Sequence, residues 1–101
     1  MHIPFAYWLY VLGAVSLSTA LSCGQAHGEA VSWLPLKNDG RFHTGFLPIE
    51  WGHVGYHCVC EFWENANCHD GITRVIDTVN HPIFHGHFGT NFRCYRCQQY
   101  L

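Results

Sequence analysis

The sequence predicts a mainly β protein, with α+β as the alternative: a small, disulfide-rich antiparallel sheet domain behind an N-terminal signal peptide. Three observations lead there. Residues 56–63, Tyr-His-Cys-Val-Cys-Glu-Phe-Trp, alternate with period two and are rich in strand-forming side chains. Six cysteines fall within 101 residues. The chain opens on an uncharged apolar block, Ala6 to Val15, that grades into Ser16, Ser18, Thr19, Ala20 and Ser22. Such a block followed by small residues is the pattern of a secretory signal, and it is short for a span of about 20 residues.

Cleavage after Ala20 or after Ser22 satisfies the small-x-small rule and keeps Cys23. Cleavage after Ala26 or Gly28 would remove it. An even cysteine count favours the earlier site, so residues 1–22 are expected as signal and residues 23–101 as one domain outside the cell. A domain this small has a marginal apolar core and leans on covalent staples.

Taken in order, residues 24–29 are expected as a loose polar lead. Residues 31–34 are a candidate first strand, which Pro35 would end or confine to an edge. Lys37-Asn38-Asp39-Gly40 is a turn by its Asp-Gly step. Residues 41–46 alternate weakly and would supply the second arm of a hairpin. Pro48 and Gly52 punctuate the approach to the central strand at 56–63. Residues 64–71 have loop composition, and residues 72–79 are a β-branched strand that can pair with the central one. Asn80-His81-Pro82 breaks that run. Residues 83–89 alternate apolar residues with histidine and glycine, and residues 92–97 form the last strand. No helical periodicity, repeat or Asn-x-Ser/Thr acceptor occurs after the signal.

On the central strand Cys58 and Cys60 share one face, one pleat apart, and cannot bond to each other without distortion. Fifteen connectivities are open to six cysteines. The economical one joins Cys58 and Cys60 to Cys94 and Cys97 and leaves Cys23 for Cys68. Each bridge over such a loop contributes about 3–4 kcal/mol in the chain-entropy account. Cysteines in a small exported chain read as disulfides rather than thiolate ligands. The net charge of −2, with no basic stripe, offers nothing to nucleic acid or to a membrane surface.

The arrangement Cys58-x-Cys60-x-Phe62, then Cys68, a β-branched strand, and Phe92-x-Cys94-x-x-Cys97 resembles small cysteine-rich secreted proteins of fungi, some of which act as effectors on a host. The resemblance implies an extracellular, disulfide-stapled and often non-enzymatic protein. Through Arg74-Val75-Ile76 and the end from Gly86 to Phe92, the chain is also similar in outline to guanyl-specific fungal ribonucleases of the T1 type. That likeness implies Glu61 as general base, Arg74 as phosphate stabiliser, and His85 or His87 as the acid for the leaving group. The Tyr-x-His element of that family is replaced here by adjacent Tyr56 and His57. Without catalysis, Glu61 and Arg74 read as a cross-strand charge pair.

Two further constellations stand on residue type alone. His85 and His87 would point to one face of a strand and could share a zinc or copper ion, with His81, His69 or His57 as third ligand. Trp33, Trp51, Trp63, Tyr95 and Tyr100 exceed what a small core needs, and Trp63, Tyr95 and Tyr100 are the candidate binding residues. The alternative for Trp63 is cover from an N-terminal hairpin, with Trp33 and Phe46 packed on it. The expected function is binding to a protein at a host or cell surface, with the ribonuclease and the metal binder as alternatives. No cofactor is expected. Nucleic acid enters only under the ribonuclease reading, and no membrane contact is expected of the mature chain.

Overall fold

Strand Cys58–Trp63 (β4) has the alternation its sequence predicts. Cys58, Cys60 and Phe62 are buried, while Val59, Glu61 and Trp63 are half-buried on the other face. It is the middle strand of a three-stranded antiparallel sheet, between Thr73–Asp77 and Cys94–Gln99. A computed structural model describes residues 21–101. The expected signal segment lies outside the described residues, except for Leu21 and Ser22.

Seven strands and no helix are found among the described residues. In chain order they are β1 (Ser22–His27), β2 (Leu34–Lys37), β3 (Ile49–Val54), β4, β5 (Thr73–Asp77), β6 (Phe84–Phe92) and β7 (Cys94–Gln99). β2, β1, β3 and β6 make one sheet in that order; β5, β4 and β7 make the other. Every strand pair is antiparallel. The mainly β, disulfide-rich prediction therefore holds.

The core lies between the sheets. Phe84, Phe88 and Phe92 are four apart on β6, so an extended strand puts them on one face. Phe62 of β4 stacks on Phe88 with ring centres 4.6 Å apart and meets Phe92 at 5.6 Å. Leu36, Ala26, Ile49, Val54 and Ile76 complete the cluster. Tyr95 is buried, 1% exposed; its hydroxyl donates to the Pro35 carbonyl at 3.0 Å and accepts the Lys37 N–H at 2.9 Å. That pair of bonds ties edge strand β2 to β7.

The three disulfides are Cys23–Cys58, Cys60–Cys97 and Cys68–Cys94. Cys60–Cys97 falls within the expected set, but Cys23–Cys58 and Cys68–Cys94 replace the expected Cys23–Cys68 and the pairing of Cys58 with Cys94 or Cys97. Cys94 and Cys97 are three apart, and in a strand an odd spacing sends side chains to opposite faces. Cys97 lies opposite Cys60, on the core side; Cys94 lies opposite Trp63, on the outer side, where the loop after β4 brings Cys68. Cys58 is left for Cys23.

Four element expectations need correcting. Residues 24–29 are not a loose lead, because most of them belong to β1, an interior strand. A cut after Ala26 or Gly28 would remove that strand and the Cys23–Cys58 bridge together. The first predicted strand is displaced to Leu34–Lys37; Pro35 lies within it, as the edge position of β2 permits. Residues 41–46 form no hairpin arm and contribute one bridge, His43 to Tyr95. Tyr56 is exposed in the turn before β4, where His57 has a φ of 62°, and so does not share the buried face of Cys58.

Candidate functional site

The outer face of the four-stranded sheet gathers the histidines and tryptophans. Registers Gln25↔His53↔His85 and His27↔Trp51↔His87 set two rows across β1, β3 and β6. Inner positions of β3 and β6 alternate with them: Gly52 faces Gly86, and Val54 faces Phe84. Glycine is required at 52, because a Cβ there would lie 2.3 Å from the Gln25 carbonyl oxygen and 3.1 Å from the Phe88 ring. The close approach of β1 to β3 at this point draws His27 and Trp51 together.

His27 stacks on Trp51, with ring centres 4.0 Å apart and planes within 7°. Trp33 adopts a φ of 57°, and its ring lies 4.2 Å from the His27 ring. His85 meets the Trp51 ring edge-on at 6.1 Å and the His53 ring at 6.4 Å. Between these side chains is a groove of about 240 Å³, also lined by Gln25 and Gly52. No acid, lysine or arginine lines it. Trp33 is 62% exposed and Trp51 37%. Exposed aromatic rings set among amide and imidazole hydrogen-bonding groups are suited to contact rather than to proton transfer.

The ribonuclease set does not come together. Glu61 lies on the outer face of the three-stranded sheet, where its Oε1 accepts from Arg96 Nε at 2.9 Å and Nη2 at 2.6 Å. Its ion-pair partner is thus Arg96 rather than Arg74. Arg74 lies opposite Phe62 on the core side, donates to the His87 and Phe88 carbonyls at 3.3 and 2.7 Å, and sits 5.0 Å above the Phe84 ring. His85 and His87 project from the far side of the other sheet. Three groups on three surfaces cannot meet one phosphodiester.

The metal triad of His81, His85 and His87 does not form as expected either. His85 and His87 share a face, but His81 is exposed in the segment before β6. His69 is held by Asp70 at 3.0 Å in the loop after β4, and His57 is in the turn before it. Among the described residues the only grouping of three ligand atoms within 4.8 Å of one another is the sulfurs of Cys23, Cys60 and Cys97, all committed to disulfides.

Of the candidate binding residues, Tyr95 is a core residue and is not available at the surface. Trp63 is half-buried; its cover is Phe42, at 5.3 Å, rather than Trp33 or Phe46. Arg96 in turn lies 4.6 Å from the centre of the Phe42 ring. Tyr100 is 51% exposed, beside Val59, Glu61 and Arg96. Sequence reasoning missed Gln25, His27 and His53, and left Trp51 without neighbours. The alternation Trp51-Gly52-His53-Val54 was the available signal for the last two; for Gln25 and His27 there was none. Neither a family model, nor a curated protein, nor a solved structure matches this chain.

Proposed function

We propose that this chain is a secreted, effector-like binding protein that meets a protein target at a host or cell surface through the outer face of its four-stranded sheet. The observation that carries this reading is the cluster in which His27 stacks on exposed Trp51 and exposed Trp33 tilts against His27, in a groove without charged side chains. Tryptophan is enriched among the residues that dominate protein contacts, where loss of one costs about 2 kcal/mol or more, roughly thirtyfold in affinity. Three disulfides fit an extracellular protein. The resemblance to cysteine-rich fungal secreted proteins supports the effector role.

The test is saturation binding of the fluorescently labelled, disulfide-bonded chain to a panel of intact fungal, plant and animal cells. Trp33→Ala with Trp51→Ala should weaken saturable, protease-sensitive binding by at least about thirtyfold. Tyr100→Ala, on the other sheet, should leave it unchanged. Binding that survives the double substitution and is lost with Tyr100→Ala would put the contact on the wrong face.

A further inference from the structure

The same face carries a second arrangement that does not depend on the tryptophans. His85 and His87 are two apart on β6, so their side chains leave the sheet on one side. His53 lies directly opposite His85 on the neighbouring antiparallel strand, and Trp51, not His53, lies opposite His87. Directly opposed residues have Cβ atoms about 4.5–5.5 Å apart, and diagonal ones about 7–8 Å. The ring nitrogens of His53, His85 and His87 are not all within 4.8 Å of one another in this structure, but the three residues mark a triangle on adjacent strands that imidazole rings can close over one point by side-chain rotation.

We propose that His53, His85 and His87 bind one divalent transition-metal ion, zinc or copper, through three imidazole nitrogens. An ion about 2.0–2.1 Å from each nitrogen requires the His53 and His85 rings, now 6.4 Å apart, to draw in by about 1 Å. Both are exposed, so rotation about their side-chain bonds meets no packed neighbour on the solvent side. His87 Nδ1 accepts the Gly89 N–H at 2.9 Å, and coordination exchanges that bond. Gly89 is exposed, and water takes over its N–H. Behind the triangle, Arg74 binds the His87 and Phe88 carbonyls from the core side and fixes the backbone that carries two of the ligands. An all-nitrogen donor set without carboxylate selects zinc, copper or nickel over calcium and magnesium. Three protein ligands on an open face leave the fourth position to solvent or to a donor from a partner.

The disulfide-bonded chain is titrated with zinc by calorimetry, and with copper(II) while tryptophan fluorescence and the copper EPR signal are followed. One equivalent is expected to bind, with multiple-nitrogen coordination in the EPR spectrum. Losing even an orienting partner of a ligand costs about 10–100-fold, so His53→Ala, His85→Ala and His87→Ala should each weaken binding at least tenfold. His81→Ala and His69→Ala should leave it unchanged. Circular dichroism of each variant confirms that the sheet persists. No stoichiometric binding, or binding that depends on His81 or His69 and not on His53, would overturn the assignment. Repeating the cell-binding assay with a chelator present separates the two: either metal result leaves the tryptophan contact standing if that binding is unchanged.

Discussion

Tyr95 shows how one side chain ties sequence to fold. Its place two residues before Cys97 puts it on the core side of β7, and its hydroxyl closes two bonds to β2. Removing the hydroxyl strands the Lys37 N–H and the Pro35 carbonyl. Tyr95→Phe is therefore expected to cost about 1–3 kcal/mol in urea unfolding. Burial also pushes the phenol above its ordinary value of 10.0, against a weaker opposing pull from the Lys37 N–H. A raised value favours the neutral form in the fold. That contribution is complete below pH 10 and is lost as pH rises through the raised value. Wild type should lose stability along this alkaline limb, and the difference between it and Tyr95→Phe should shrink there. A constant difference across the limb would contradict the assignment. At the acid end Asp39, Asp70 and Asp77 are held below 3.8, chiefly by hydrogen bonds from His43, His69 and Asn80 respectively. Their contribution is present above 3.8 and is lost as pH falls through the lowered values.

At the level of elements, the strands whose own side chains specify them were legible. β4 and β5 are aromatic or β-branched, and their alternation survives in the burial of β4. β1 was not legible, because Ser-Cys-Gly-Gln-Ala-His has no β-branched or large aromatic residue. It is a strand because Cys23 is bonded to Cys58 and because small residues allow β3 to approach. The same account predicts that Gly52→Ala destabilises by about 1–3 kcal/mol, since the new Cβ meets backbone on β1. Gly55→Ala, whose Cβ would sit 3.5 Å from the nearest atom, is the control and should stay within about 0.5 kcal/mol. Equal effects of the two in urea melts would show that the β1–β3 approach is looser than described. The cysteine pairing was legible only in part. Parity placed Cys58 and Cys60 on one face, and the same parity applied to Cys94 and Cys97 would have separated them.

For the whole molecule, both proposed contacts lie on the back of a sheet whose front is the core. Half of that surface could be read in advance: His85 and His87 share a face by their spacing alone. The other half, Gln25, His27 and His53, depends on β1 and β3 lying beside β6, an order that no local pattern encodes. The disulfides fix how the two sheets meet rather than the order within the four-stranded one. Cys23–Cys58 ties β1 to β4 across the core, and Cys60–Cys97 and Cys68–Cys94 fasten β7 to β4 and to the loop beyond it. The decisive measurement is a disulfide map of the native chain, by mass spectrometry of peptides cut without reduction. It should return Cys23–Cys58, Cys60–Cys97 and Cys68–Cys94 with no free thiol. A Cys23–Cys68 or a Cys58–Cys94 peptide would contradict the placement of β1 against β4 and of β7 beside it, and with it the packing that leaves the histidine and tryptophan face outermost.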